Sequence, residues 1–258
     1  MSAPIRLAHS VAELTTLRQN LAGALQIKGI SASAALQLAP SARADQAPET
    51  IQWADIAGRL VEVAAPPRLQ AKMAAAGTTW VASLVGEVQQ RGETAAWVLC
   101  AELEAPVWSL PYAPDLRAHG VDLAALPLVR ARDPAQVLQA ADVLLRSGAF
   151  GLVVADWPAR APRPGDGPMG RLLGLCQRHE AAVVFVTAAP ADGRGEPEGG
   201  GLLGSMISLR LEVWRAPAPV STVTGLCAFA LHTVVRKDKR RGPGLQQITV
   251  HEAPEGVG

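Results

Sequence analysis

Short, uninterrupted apolar segments alternate along this sequence with segments of helical periodicity, and this alternation constrains the fold more than any other feature. The apolar segments are LVEVA (60–64), AAWVLCAE (95–102), FGLVVADW (150–157) and AAVVFVTAA (181–189). They lack the polar–apolar alternation of a half-exposed strand, and strands buried on both faces of a parallel sheet have this character. Helices are predicted between them over 78–92, 133–148 and 167–180. The sequence therefore predicts an α/β fold with a mostly parallel sheet.

The C-terminal part changes character. SLRLEVWR (208–215), CAFALHTVVRK (227–237) and QQITVHE (246–252) follow one another with no helical segment between them. Consecutive strands of this kind are usually joined as hairpins. We therefore expect these three strands to extend the sheet in antiparallel fashion.

The N-terminal part is predicted to be a helix and a connector. Val11, Leu14, Leu17, Leu21 and Leu25 recur near helical spacing within residues 11–27, and Ser10 with Glu13 forms a plausible capping box. Residues 31–50 are small, polar and interrupted by proline, as in a connecting segment. The expected organisation is a helix with its connector over residues 1–50 and a core domain over residues 51–258.

Composition excludes several classes of protein. The 258 residues carry a formal net charge of +1, so no overall field attracts nucleic acid or an anionic membrane. The three cysteines are far apart and predict reduced thiols, and neither a signal peptide nor a membrane-spanning run is recognisable. The five histidines lack metal-ligand spacing, and no Ser/His/Asp arrangement is apparent. We expect a cytoplasmic protein without a metal centre.

Several strings resemble successive landmarks of the bacterial recombinase RecA over roughly residues 56–240. In chain order they are GRLVEV, GTT at the start of a helix, VQQRGETAAWVLCAE, LLRSGAFGLVVADW, SLRLEVW and HTVVRK. The degenerate phosphate loop and the shortened carboxyl end are similar to ImuA, an inducible-mutagenesis family related to RecA and to the cell-division inhibitor SulA. The resemblance implies a RecA-like P-loop NTPase core.

The nucleotide site that the resemblance implies is altered at its loop. A P-loop ends in G-K-[ST], because backbone N–H groups surround the phosphates while the lysine reaches them. Here Gly77 stands at the lysine position and is followed by Thr78 and Thr79. The preceding loop contains Pro66 and Pro67, and proline has no N–H to donate. We therefore expect a former ATP site that binds no nucleotide, and hence no cofactor.

Two carboxylates of the implied site are retained. By resemblance, Glu102 corresponds to the glutamate that orients the attacking water, and Asp156 to the aspartate that helps to hold Mg²⁺. The position of the glutamine that senses the γ-phosphate falls at Ala188. Without the lysine and the phosphate cradle these carboxylates lack the charge on which they would act. We interpret both as vestigial, or as structural groups at the ends of strands.

The only concentrated charge is RKDKRR, with Arg236, Lys237, Lys239, Arg240 and Arg241 around one aspartate. By resemblance, lysines here reach the ATP of a neighbouring RecA protomer. Without ATP the run is a candidate surface for DNA phosphates or an acidic partner, and the alternative is a solvated tail. The segments in place of the two RecA DNA loops, 159–168 and 190–201, lack an aromatic platform for bases. We expect weak or no direct DNA binding.

The expected function is that of a non-enzymatic, RecA-like accessory protein of SOS-induced translesion synthesis. The resemblance implies ImuB as partner, an error-prone DNA polymerase indirectly, and RecA as a second candidate. Leu14, Leu17, Leu21 and Leu25 are the candidate surface for self-association or RecA docking. Two alternatives stay open, a DNA-dependent ATPase of the recombinase family with an atypical loop, and a SulA-like inhibitor of cell division.

Overall fold

The computed structural model describes six ranges of the chain, namely residues 51–66, 75–100, 111–158, 161–187, 203–217 and 228–252. Within them, eight strands form one sheet. The strands are β1 (Arg59–Ala64), β2 (Ala95–Cys100), β3 (Leu128–Ala131), β4 (Leu152–Trp157), β5 (Ala182–Thr187), β6 (Leu209–Pro217), β7 (Ala228–Asp238) and β8 (Gln246–Glu252). Their order is β3-β2-β4-β5-β1-β6-β7-β8. The predicted α/β architecture is confirmed.

Five α-helices and one 3₁₀ turn are described. They are α1 (Trp53–Ile56), α2 (Ala75–Gln90), α3 (Ala113–Ala118), the 3₁₀ turn Leu123–Ala125, α4 (Pro134–Arg146) and α5 (Asp166–His179). The predicted N-cap of α4 is confirmed, because the Asp133 carboxylate accepts a hydrogen bond of 2.8 Å from the Gln136 N–H. Helix α2 begins at Ala75, three residues before the predicted start, and therefore contains Gly77.

The prediction of an antiparallel C-terminal extension is right for β7 and β8 and wrong for β6. β7 pairs antiparallel with β6 and with β8, whereas β6 runs parallel to β1, with Leu209 beside Val61. β5 ends at Thr187, where the parallel strands have their carboxyl ends. Because β6 is also parallel to β1, the chain must return to the amino ends of these strands before β6 begins. That return makes β6 the last parallel strand.

Two cores lie on opposite faces of the sheet. Val61 and Val63 belong to the core beneath α2, whereas Leu60 belongs to the core beneath α4 and α5. β1, β2, β4 and β5 contribute residues to both cores, which is why their sequences lack the polar–apolar alternation of a half-exposed strand. The α2 core extends across β6 and β7, whereas within the described ranges the α4–α5 core takes no residue from β6, β7 or β8.

Candidate functional site

At the position of the P-loop lysine, Gly77 brings helix α2 into close contact with the sheet. A Cβ atom at Gly77 would lie 3.3 Å from Cγ1 of Val186 on β5 and 3.7 Å from Cγ1 of Val63 on β1. These methyl groups belong to two central strands and fill the space beside the helix. Glycine therefore permits this approach of α2 to β1 and β5, and Gly77 supplies no cation to bind a phosphate. In this respect the described residues do not fit an ATP phosphate.

Thr79, two residues further along α2, is fully buried and accepts a short hydrogen bond from the Arg215 guanidinium of β6. Arg215 also lies 4.3 Å over the ring of Phe229 and 3.9 Å from the Asp115 carboxylate. Burial lowers the pKa of Arg215, and Asp115 opposes this shift. Thr79 thus anchors α2 to the antiparallel part of the sheet, while Thr78 beside it is half-buried.

Asp156 occupies the next-to-last position of β4 and accepts a hydrogen bond of 3.0 Å from the indole N–H of Trp97 on β2. Burial raises the pKa of Asp156 to about 6, and the Trp97 hydrogen bond opposes this shift. A metal-binding aspartate must present an ionised oxygen to the ion. Here burial disfavours the ionised form, and one of the two oxygens is bonded to a neutral donor.

Sequence reasoning missed a half-buried polar network between α2, the end of α3 and β8. Ser83 Oγ lies 3.2 Å from Nδ1 of His119, whose ring is edge-on to His251 with 5.0 Å between the ring centroids. A Cβ atom at Gly86 would overlap the carbonyl oxygen of His119, so glycine permits this approach of α3. These residues are far apart in sequence, and no local pattern connects them.

The same network brings together Ser, His and Asp side chains, an arrangement that was not apparent in the sequence. Its geometry does not activate a nucleophile. Ser83 Oγ donates to the carbonyl of Thr79 within α2, and His119 Nε2 stands 3.8 Å from Asp115, beyond a hydrogen bond. Burial lowers the pKa of His119, and Arg215 lowers it further while Asp115 opposes them. Burial, His119 and Arg215 lower the pKa of His251 to about 4, against Asp115. These groups are neutral packing elements at pH 7.

The RKDKRR run is the end of β7 and the turn after it, so the alternative of a solvated tail does not hold for these residues. Its cations point to different places. Lys237 and Lys239 donate to the carbonyl of Ser205, at 3.4 and 2.8 Å. Arg240 donates to the carbonyl of Ala57 at 3.1 Å, and Arg241 pairs with Asp55 at 2.5 Å. The cations of the run thus have different contacts within the fold, and its role as a binding surface stays a prediction.

Two other charged residues of this run join the ends of strands. Arg236 pairs with Glu212 of β6 at 2.6 Å, and Asp238 pairs with the buried Arg59 at 2.6 Å. Arg59 donates in addition to the hydroxyl and the carbonyl of Ser208, at 2.8 and 2.6 Å. The Asp238 carboxylate is thus committed to an ion pair within the fold. Arg236 is paired with Glu212, although about half of its side chain is exposed.

Other predicted residues lie outside the described ranges. These are Glu102, Ala188, the segment 190–201 and the N-terminal leucines Leu14, Leu17, Leu21 and Leu25. Trp80 and Trp157, next to the implied site in sequence, are buried in the two opposite cores. Within the part of the chain that the structure describes, no group of three His, Cys, Asp or Glu side chains is placed to hold a metal ion. No helix there is long and apolar enough to span a membrane.

Comparison with known proteins gives one consistent relationship. Over 184 aligned residues the chain is 32% identical to Protein RecA of Lactobacillus johnsonii, covering 62% of this chain and 47% of that protein. It is 28% identical to Protein RecA of Haemophilus ducreyi over 194 residues, covering 71% of this chain and 45% of that protein. The chain is RecA-like. It spans about half the length of these relatives, and no family model matches it.

The RecA-like relationship agrees with the fold. The central parallel strands β1, β4 and β5, with α2 on one face and α4 and α5 on the other, form an arrangement in which ligands bind beyond the carboxyl ends of the strands. Gly77, Thr78 and Asp156 lie on the elements expected of them by resemblance. At the lysine position the side chain departs from the P-loop pattern, since Gly77 stands there.

Proposed function

We propose that this protein is a non-catalytic, RecA-like accessory factor of SOS-induced translesion synthesis in the cytoplasm. In this proposal the protein binds ImuB and is connected through ImuB to an error-prone DNA polymerase. RecA is a second partner, and the protein restrains RecA-driven strand exchange. The observation that carries the proposal is Gly77 at the lysine position, packed closely on Val63 and Val186, because glycine supplies no cation for a phosphate.

The Asp156–Trp97 hydrogen bond supports the same proposal from a different strand. One oxygen of the Asp156 carboxylate accepts from the neutral indole N–H of Trp97, and burial raises its pKa to about 6, so a buried anion here lacks a paired charge among the contacts described. The two departures, at Gly77 and at Asp156, involve different elements and independent contacts. Together they favour a protein that retains the RecA-like scaffold for binding partners and not for hydrolysis.

A DNA-dependent ATPase is the second candidate, and the retained carboxylate of Asp156 is the observation in its favour. ATP binding by titration calorimetry, and hydrolysis with and without single-stranded DNA, separate the two. We expect no binding heat and no turnover in either condition, and Gly77→Lys should restore neither, because Asp156 stays bonded to Trp97. Turnover that disappears in Asp156→Ala would reject the non-catalytic proposal.

A SulA-like inhibitor of cell division is a weaker candidate, because it leaves the three strands β6, β7 and β8 without a role. The partner proposal is tested with purified ImuB and purified RecA against the full chain and against Leu17→Asp with Leu21→Asp. We expect the double variant, like deletion of residues 1–50, to keep a folded core but to lose self-association or RecA binding, because charge replaces the apolar stripe of the predicted helix. Unchanged binding and unchanged strand exchange would reject the role of this helix.

A further inference from the structure

β8 is the last strand of the sheet, and its outer edge has no strand neighbour within the described ranges. Its seven residues, Gln246–Glu252, pair with β7 on one side only. The outward backbone N–H and C=O groups of such an edge are a template for another strand. Proteins usually protect an edge with proline, lysine, a bulge or an inward-pointing charge. QQITVH, the first six residues of β8, contains no proline, lysine or carboxylate.

The side chains of β8 add an apolar strip to this edge. Ile248 is 59% exposed and Val250 is 63% exposed, and both lie on the face opposite α2. Ile248 continues a row across three strands, with His232 of β7 and Trp214 of β6 as its neighbours. The rings of Trp214 and His232 stack with 5.1 Å between centroids, which gives the row a rigid base.

The order of residues in β8 is symmetric in polarity about Thr249. Reading outwards from Thr249, the neighbours are Ile248 and Val250, then Gln247 and His251, then Gln246 and Glu252. An antiparallel copy centred on Thr249 therefore sets Ile248 opposite Val250 of the other strand, twice. It sets polar residues opposite polar residues at the remaining positions, with no like charges facing each other. A strand that pairs with itself about a twofold axis needs this self-complementarity.

We propose that β8 is a homodimerisation edge, at which two copies of this chain pair antiparallel about Thr249 to form one continuous sheet. The interface is separate from the implied nucleotide position, because β6 and β7 lie between β8 and β1. It would present two RecA-like cores related by a twofold axis and hence two identical binding surfaces.

The test measures the mass of the full-length protein by sedimentation and by light scattering over a range of concentrations. The wild type should have twice the mass of the chain. Ile248→Lys with Val250→Lys opposes lysine to lysine twice across the axis, and should weaken the dimer on the order of 100-fold. Val143→Lys, which replaces a residue 60% exposed on α4, is the matched control and should leave the mass unchanged.

A charge-complementary variant tests the register itself. Ile248→Lys with Val250→Glu sets each lysine opposite a glutamate of the other copy, so the dimer should return to within about tenfold of the wild-type affinity. A wild type that is monomeric and melts cooperatively would overturn the proposal. The protein would behave in this way if another segment of the chain covered β8. A dimer that survives the lysine pair, or a complementary variant that stays monomeric while the lysine pair is monomeric too, would overturn it as well.

Discussion

The parallel and antiparallel halves of the sheet differ in how much of their surface they leave open. β1, β2, β4 and β5 are buried on both faces, and at Gly77 the packing reaches the position where a phosphate loop would act. β6 and β7 contribute residues to the α2 core on one face, while Ile248 and Val250 of the neighbouring β8 are exposed on the other. The difference teaches that the exposed apolar side chains of this sheet lie at its β8 end, away from the strands that are buried on both faces.

The buried Arg59 joins the two halves, and its replacement should have the largest effect on stability. Arg59 begins β1 and donates to Ser208 before β6 and to Asp238 at the end of β7. Its side chain is 2% exposed and that of Asp238 is 8% exposed. Arg59→Gln leaves a buried carboxylate without its partner, so we expect a loss of about 3–5 kcal/mol in the free energy of unfolding.

Urea titration of Arg59→Gln checks this expectation, with Arg91→Gln as control. Arg91 pairs with Glu87 at 3.0 Å on the surface of α2 and should cost at most about 1 kcal/mol. Burial alone would raise the pKa of Asp238, but hydrogen bonds from Arg59 and from the Arg240 and Arg241 backbone hold it below its ordinary value. The wild-type contribution should therefore be present above pH 4 and be lost in more acidic solution. If Arg59→Gln and Arg91→Gln are half-unfolded at the same urea concentration, the contacts of Arg59 with Ser208 and Asp238 do not stabilise the sheet as expected.

Asp156 offers a smaller effect of opposite sign in the parallel half. Its pKa is 3.8 in the unfolded chain and about 6 in the fold, so the folded protein binds more protons between these values. Stability should therefore fall as the pH rises from about 4 to 6, and remain reduced above 6. Asp156→Asn removes the buried charge and keeps an oxygen for Trp97. We expect it to stabilise the protein by about 1–3 kcal/mol at pH 7.5.

Thermal melts of the wild type and Asp156→Asn at pH 4 and pH 7.5 measure this difference. The two proteins should melt together at pH 4, where the aspartate is largely protonated in the fold. The lowered pKa values of His119, His232 and His251 act in both proteins and cancel in the comparison. Destabilisation by the substitution at pH 7.5 would mean that the Asp156 carboxylate is held by attractive charge, as in a metal site.

The sequence predicted those parts of the fold that depend on local pattern. The non-alternating strands, the Asp133 cap of α4 and the place of Gly77 in the RecA-like order all follow from neighbouring residues. β3 was missed because Leu128–Ala131 is only four residues long and three of them are partly or fully exposed, so no apolar run marks it. The parallel direction of β6 depends on where the chain crosses the sheet, which composition does not specify.

The candidate site was predictable in position but not in chemistry. Trp97 and Asp156 are 59 residues apart, and the indole hydrogen bond arises only because β2 and β4 are neighbours. Arg59 and Asp238 are 179 residues apart, and their ion pair depends on the β1–β6–β7 order. The RKDKRR run was recognised as a cluster of charge, but its division between three anchoring points required the packing of β7 on its neighbours.

That division leads to the smallest stability effect and to the sharpest test of the basic run. Two double variants each remove two positive charges. One is Lys237→Gln with Lys239→Gln, and the other is Arg240→Gln with Arg241→Gln. The lysines reach only the Ser205 carbonyl in the contacts described, and burial and then Lys239 lower the pKa of Lys237. The arginines hold the Ala57 carbonyl and Asp55. We expect the lysine pair to change stability by less than about 0.5 kcal/mol, and the arginine pair to cost up to about 1 kcal/mol.

Binding to purified ImuB, RecA and single-stranded DNA should show the reverse order, because the lysines make fewer contacts within the fold. The lysine pair should therefore weaken binding more than the arginine pair. Should DNA be the ligand, the lysine pair should also reduce the slope of log affinity against log salt by about two, one for each lost phosphate contact. Equal loss of binding in both pairs would mean that overall charge, and not these two lysines, attracts the ligand.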